Sequence, residues 1–178
     1  MSKDCRSSLR PLSRYITTHD ATGKSHICDN IPDKAPVRLI RGGEMEFSLM
    51  YITPTFPVAM ANDQDIIAYQ GYLANAPGIT IPGGTVCRTV DFPPGYTSPM
   101  HRTKSCDFGI VIEGEVELVL DSETKVLRRG DVAVQRGTNH AWHNKSKVNW
   151  ARMLYVLQAA NSIVIGGQEL KEDQGGIH

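Results

Sequence analysis

The fold of this chain is decided by residues 91–144, which begin DFPPGYTSPMHRTKSCDFGIVIEGEVELVLD (91–121) and end RRGDVAVQRGTNHAWHN (128–144). Short runs of β-favouring residues alternate in this stretch with turn signals that contain glycine, proline, aspartate or serine. The alternation predicts a β-meander. Four polar side chains stand out within it: His101, Asp107, His140 and His143.

The first half of this stretch resembles the first sequence motif of the cupin family, G-(x)5-H-x-H-(x)3,4-E-(x)6-G. Gly95, His101 and Gly114 match the motif directly. Thr103 stands where the second histidine belongs, and Asp107 stands where the glutamate belongs. The resemblance therefore includes two departures, both at positions that bind a metal in cupins.

The second half resembles the second cupin motif, G-(x)5-P-x-G-(x)2-H-(x)3-N. Gly130, Gly137, His140 and Asn144 match it, although one residue is missing before Gly137 and Gln135 replaces the usual proline. The resemblance implies an all-β protein: a single cupin domain, which is a small jelly-roll β-barrel, with N-terminal strands or a hairpin and a short C-terminal tail.

The length of 178 residues suits one well-buried domain. We predict a flexible N-terminus over 1–14, strands and connectors that complete the barrel over 15–84, the cupin core with both motifs over 85–160, and a C-terminal tail over 161–178. The second of these segments should begin with a hairpin, because β-favouring residues flank a Thr-Gly-Lys turn.

Three segments are harder to assign from their composition. Ile66 to Leu73 is apolar and compatible with a strand. Asn149 to Ala160 is apolar at nearly every position and fits either a strand or a helix by periodicity, so its place in a cupin decides for a strand. The charged, glycine-rich end, GGQELKEDQGGIH, is expected to be poorly ordered or dependent on a partner.

Charge and hydropathy exclude several classes of partner. Nineteen basic and nineteen acidic residues give a formal net charge of zero, which argues against recruitment of nucleic acid or an anionic membrane by bulk charge. No apolar run approaches the roughly 20 residues that span a bilayer, and the N-terminus lacks the apolar core of a signal peptide. The chain is expected to be cytoplasmic, with its cysteines as free thiols: Cys5, Cys28, Cys87 and Cys106.

The cupin resemblance implies a metal site formed by His101, Asp107 and His140. Two imidazoles and one carboxylate suit divalent iron, manganese, zinc or nickel. However, the hydroxyl of Thr103 is a poor ligand, and Asp107 is one methylene shorter than the usual glutamate. Three ligands at best remain, so a metal would be bound weakly, bound at a different position from that in other cupins, or absent.

The same three residues can act without a metal. Histidine titrates near neutral pH, and a nearby carboxylate can fix its tautomer and raise its basicity. Such a pair in a dry barrel can remove a proton alpha to a carbonyl and return it elsewhere. This chemistry covers enolisation, dehydration, aromatisation and decarboxylation of a β-keto compound.

Strand periodicity predicts the walls of the substrate pocket. Side chains two residues apart share one face of a strand, so Thr103 and Ser105 should face the same side as His101 and Asp107. Trp142 shares the face of His140, and Tyr155 is expected to be wall or core. Four other side chains are expected to lie at the surface or to point away from the cavity: Arg102, Cys106, Arg136 and His143.

Outside the two motifs, a subgroup of small fungal and bacterial cupins is resembled more weakly by three segments: 15–24, 87–95 and 151–160. Some fungal members of this subgroup accompany polyketide and other secondary-metabolite pathways. The leading prediction is a lyase or isomerase that transfers protons on a carbonyl-bearing small molecule. An Fe(II)-dependent oxidoreductase and a non-catalytic ligand-binding barrel are the alternatives. We expect a homodimer, because cupins commonly pair through N-terminal strands and a neutral chain faces little charge repulsion.

Overall fold

The computed structural model describes residues 6–40 and 44–175. Antiparallel strands form most of its regular secondary structure, and the predicted all-β class is confirmed. The elements are β1 (Thr17–His19), β2 (Ser25–Ile27), β3 (Val37–Ile40), β4 (Met45–Thr53), a 3-10 turn (Ala61–Asp63), α1 (Gln64–Ala74), β5 (Thr85–Phe92), β6 (Ser105–Glu113), β7 (Glu115–Leu120), β8 (Thr124–Arg128), β9 (Val132–Arg136), β10 (His140–His143), β11 (Ala151–Ala159), β12 (Val164–Ile165) and β13 (Gln168–Glu169).

Two sheets build the barrel. The larger sheet has the strand order β3-β4-β5-β11-β6-β9, and the smaller sheet has the order β10-β7-β8. Alternation along β6 turns Ser105, Asp107, Gly109 and Val111 inward, as expected from the two-residue period of a strand. One apolar cluster joins the two sheets; it includes Val86, Val111, Val116, Trp142 and Met153.

Two motif residues have structural roles at the turns of the barrel. Gly114 links β6 to β7 with φ of 76°, a conformation that favours glycine. The side-chain amide of Asn144, which is almost fully buried, donates hydrogen bonds to the backbone carbonyls of Phe92, Pro93 and Asn149 at 3.0, 3.1 and 2.9 Å. Asn144 therefore ties the end of β10 to the loops that flank β5 and β11.

The prediction of a strand over Ile66 to Leu73 is wrong, because this segment belongs to helix α1. Ile66, Tyr69 and Leu73 lie on one helical face, and the Tyr69 hydroxyl donates a 2.8 Å hydrogen bond to the Leu49 carbonyl of β4. Packing of this face onto the sheet stabilises the helix. Among the described residues, no helix combines the length and apolar character that a membrane span requires.

The ends of the described chain also differ from expectation. Of the N-terminus predicted over 1–14, residues 1–5 lie outside the described residues; further along, Arg14 is buried, with its guanidinium carbon 5.2 Å from the centre of the Tyr69 ring. In the tail, β12 and β13 form a small hairpin, and Asp173 exchanges two backbone hydrogen bonds with Arg102. The described tail thus packs beside the strand segment that follows His101, instead of extending into solvent.

A buried ion pair lies on the face of the large sheet that turns away from the barrel interior. Arg152 of β11 donates two hydrogen bonds to the carboxylate of Asp91 on β5, each 2.5 Å long. Both side chains are buried, and a further nitrogen of Arg152 donates to the Arg10 carbonyl at 2.7 Å. The N-terminal segment therefore covers this pair and is attached to it.

Candidate active site

The two motif histidines meet because their backbones pair. His101 and His140 form an antiparallel bridge with N–H to O=C distances of 2.8 and 2.9 Å. Their ring centroids lie 4.1 Å apart, and both side chains are buried. Residues about forty positions apart in the chain thus form one imidazole pair at the barrel wall.

Backbone carbonyls fix the tautomers of both rings. Nδ1 of His101 lies 2.9 Å from the Pro99 carbonyl oxygen, and Nδ1 of His140 lies 3.0 Å from the Thr138 carbonyl oxygen. Because a carbonyl only accepts, each Nδ1 carries a proton and each neutral ring presents Nε2 as its acceptor. Burial, followed by repulsion from His101, lowers the pKa of His140 to about 4, so His140 is a neutral base at pH 7.

Asp107 of β6 faces the same cavity with one oxygen engaged and one available. Its Oδ2 accepts a 2.9 Å hydrogen bond from the Ser105 hydroxyl, which lies 2.6 Å from the Thr103 hydroxyl. Its Oδ1 is buried and has no hydrogen-bond partner among the described residues. Burial raises the pKa of Asp107 to about 6, against the opposing effect of these hydroxyl groups. The carboxyl can therefore take up or release a proton close to neutral pH.

This raised pKa predicts a pH-dependent stability. An Asp whose pKa is about 6 when folded and 3.8 in the reference state destabilises the fold increasingly as pH rises from about 4 to 6. Asp107→Asn removes the buried charge and should increase the free energy of unfolding at pH 8 by up to about 3 kcal/mol, with little gain at pH 4. Urea unfolding at both pH values measures this.

The exposed Glu123→Gln variant is the matched control for that experiment, since it removes a surface carboxylate. It should change stability by less than about 0.5 kcal/mol at either pH. An Asp107→Asn protein that is no more stable than wild type at pH 8 would contradict the raised pKa.

An apolar cavity of about 100 Å³ adjoins these groups. Trp142 and Tyr155 line it, and their rings meet edge to face with centroids 5.7 Å apart. Gly109 makes room for this wall, because a Cβ there would lie 3.0 Å from the Tyr155 ring. Burial raises the pKa of Tyr155 well above its usual value, so its phenol stays protonated.

The prediction for Ser105 needs correction. Thr103 lines the cavity, but Ser105 does not, although both were expected in its wall. The Ser105 side chain is almost fully buried, and its hydroxyl is used by the hydrogen bonds to Thr103 and Asp107. Ser105 therefore positions the carboxylate from behind, and Thr103 fills the space of the missing motif histidine.

Arg88 of β5 lines the cavity and was not identified from the sequence. One of its terminal nitrogens donates to the carbonyls of Gly78 and Ile79 at 2.5 and 2.8 Å. Burial lowers the pKa of Arg88 to about 10, partly offset by the charge of Asp107, and the guanidinium remains cationic at pH 7. The sequence does indicate that Arg88 faces inward, because Arg88 is two residues from each of the apolar residues Val86 and Val90 on the same strand.

The described side chains do not complete a three-ligand metal centre. The Nε2 atoms of His101 and His140 are suitable nitrogen donors. Asp107, however, directs Oδ2 to Ser105, and within residues 6–40 and 44–175 no three His, Cys, Asp or Glu side chains are arranged to hold one ion. Two imidazoles, rather than the predicted triad, are the metal-binding groups that this arrangement offers.

The remaining predicted surface residues lie outside the cavity. His143 is partly exposed, with Nδ1 2.9 Å from a Glu117 oxygen on the neighbouring strand. Cys106 and Arg136 pair across β6 and β9 and do not line the cavity, and Arg102 borders the C-terminal tail. These side chains are separate from the imidazole pair.

Sequence comparison agrees with this architecture. Residues 88–157, which include every cavity group discussed on β5, β6 and β10, match the model of the cupin domain. The chain is 51% identical over 170 residues to the phomopsin biosynthesis cluster protein C′ of Diaporthe leptostromiformis, covering 95% of this chain and 87% of that protein.

Two further similarities are more distant. The chain is 40% identical over 168 residues to a protein of Hypocrea virens named as a cupin-domain-containing oxidoreductase, covering 92% of this chain and 84% of that protein. An RmlC-like cupin from Shewanella frigidimarina superposes with a TM-score of 0.46 at 14% identity, over 71% of this chain and 86% of that one.

Proposed function

The chain belongs to the cupin family, with relatives from fungal secondary-metabolite clusters, and on this premise we propose that it is a biosynthetic enzyme that transfers protons on a carbonyl-bearing small molecule. The observation that carries the proposal is the pair of backbone-tethered imidazoles at the wall of a small apolar cavity. Dehydration, isomerisation with aromatisation, and decarboxylation all belong to this class of reaction.

The cavity groups have distinct parts in such a reaction. His140, neutral at pH 7, accepts the proton alpha to the carbonyl through Nε2, and His101 beside it holds or relays that proton. Asp107 is available through Oδ1 to donate to or accept from a substrate oxygen. The apolar walls lower the local dielectric constant, which strengthens the electrostatic part of these interactions.

Metal-dependent oxidation in the same cavity is the second candidate. The name of the Hypocrea virens relative favours it, and so do the two imidazole nitrogens, which would hold the ion. A bound Fe(II) would supply redox chemistry. Asp107 would have to leave its hydrogen bond with Ser105 to become a third ligand.

The test is metabolite analysis after deletion of the coding gene in its host. Complementation with wild type should convert one accumulated compound into a product of equal mass, or into one that has lost water or carbon dioxide. A product that has gained oxygen or lost two hydrogens would contradict proton transfer and favour oxidation. Unchanged metabolites in the deletion strain would contradict both and leave the ligand-binding alternative.

The predictions of a homodimer, of a small-molecule substrate as the partner and of a cytoplasmic location stay predictions. The exposed apolar residues Val37 and Leu39 on the edge strand β3 are compatible with pairing through the N-terminal strands, and the net charge of zero does not oppose it.

A further inference from the structure

A second, larger space adjoins the cavity beside the histidines. We call it the outer cleft: it measures about 520 Å³, against about 100 Å³ for the inner cavity, and its walls are β3, β4 and the connector 76–79. Three residues line both spaces: Phe47, Ile79 and Arg88. Arg88 therefore stands at the junction, and the inner cavity alone holds only a small part of any molecule that fills both.

The guanidinium of Arg88 is held in place and forms no ion pair among the described residues, although the charge of Asp107 in the inner cavity acts on it. The carbonyls of Gly78 and Ile79 orient one terminal nitrogen, and the Phe47 ring lies 5.6 Å from the guanidinium carbon. Nε is buried and has no hydrogen-bond partner in the described chain, where Arg88 also makes no ion pair within 4 Å. A fixed guanidinium with spare donors matches the geometry of a carboxylate.

The lining of the outer cleft is apolar and cationic. Leu39, Ile40, Leu49 and Pro77 supply apolar surface, and Arg38 supplies a second guanidinium. Of the described residues, no Asp or Glu lines this cleft. Such a surface favours a ligand that combines an apolar body with negative charge.

We propose that the substrate is an amphiphilic carboxylic acid. Its carboxylate binds Arg88 at the junction, its apolar body lies in the outer cleft, and its carbonyl-bearing end enters the inner cavity beside His101 and His140. Arg38 adds attraction from the rim. The identity of the inner end rests on the proton-transfer function proposed above, whereas recognition of the carboxylate by Arg88 can be measured without turnover.

Calorimetric titration at pH 8 with octanoate, octanamide and butanoate tests this. Octanoate should bind wild type at least about tenfold more tightly than octanamide, because only the acid forms charge-assisted hydrogen bonds with Arg88. Arg88→Met should abolish that preference. Arg38→Gln, at an exposed position, should weaken octanoate binding about twofold and serves as a second variant should Arg88→Met fail to fold.

The contribution of the outer cleft is tested by chain length. Octanoate should bind more tightly than butanoate to wild type, and Gly78→Phe should remove this difference, since Gly78 lines the cleft and a Cβ there meets no atom within 4 Å. Gly71→Phe is the matched control: its Cβ also meets open space, but it lies on α1 outside both spaces. It should keep the difference.

Equal affinity for octanoate and octanamide, no measurable binding of octanoate at millimolar concentration, or an acid preference that survives Arg88→Met would each overturn the proposal. The proposed reaction fails separately. An enzyme that binds octanoate through Arg88 but yields an oxidised metabolite would refute proton transfer alone. An enzyme that transfers protons but shows no acid preference would refute the carboxylate site alone.

Discussion

Replacing His140 by alanine is expected to lower kcat/KM by about a hundred- to ten-thousand-fold, the usual contribution of a general base. His140 is neutral at pH 7, and its Nε2 is the acceptor that the tautomer leaves for the substrate. The assay is the initial rate at which purified protein converts the compound that accumulates in the deletion strain. Circular dichroism and urea unfolding should show that the variant still folds.

His143→Ala is the matched control, because it makes the same change on the same strand. His143 faces Glu117 at the surface and does not line the cavity, so its loss should change the rate by less than about twofold. A His140→Ala protein that is folded and retains a third or more of the wild-type rate would exclude His140 as the base.

The largest expected effect on stability comes from Asp91→Ala. This variant leaves the Arg152 guanidinium buried without its carboxylate, which typically costs about 3–5 kcal/mol. The carbonyl of Arg10 remains as one acceptor, but it cannot neutralise the charge. Urea unfolding at pH 7 measures the loss. A loss below about 1 kcal/mol would show that water or another group compensates Arg152.

The double variant Asp91→Leu/Arg152→Met separates charge burial from packing. Because both charged groups are removed together, and similar volume is kept, its stability should return to within about 1–2 kcal/mol of wild type or exceed it. If the double variant is as unstable as Asp91→Ala, the loss comes from packing under the N-terminal segment rather than from the unpaired charge.

The resemblance to the two cupin motifs implied that the two histidines meet. His101 and His140 occupy their motif positions, and the antiparallel bridge between them follows from the jelly-roll topology that the motifs imply. Fold and pair were therefore predictable together. The sequence could not show that the carboxylate of Asp107 is directed to Ser105 and not to the histidines. The hydrogen bonds of Ser105 and Thr103 depend on side-chain rotamers, which residue spacing does not determine.

Other features depend on contacts that join distant parts of the chain. Arg88 could be placed at the cavity only once β5 lay beside β11, opposite Tyr155. Helix α1 was predicted as a strand because its apolar composition is compatible with either a strand or a helix. The helical spacing of Ile66, Tyr69 and Leu73 extends over only two turns, which is a weak signal in the sequence. The outer cleft involves β3, β4 and the connector 76–79, which carry no motif.

The backbone tethering of both histidines has a consequence for how such proteins diverge. The orientation of both rings depends on main-chain carbonyls of Pro99 and Thr138, which every amino acid supplies, whereas the shape of the outer cleft depends on side chains such as Phe47 and Ile79. Mutations can therefore accumulate in the cleft while the reactive pair keeps its orientation. If the cleft binds substrate as proposed, the substrate range can be changed through β4 and the connector 76–79 while the histidine pair is left as it is.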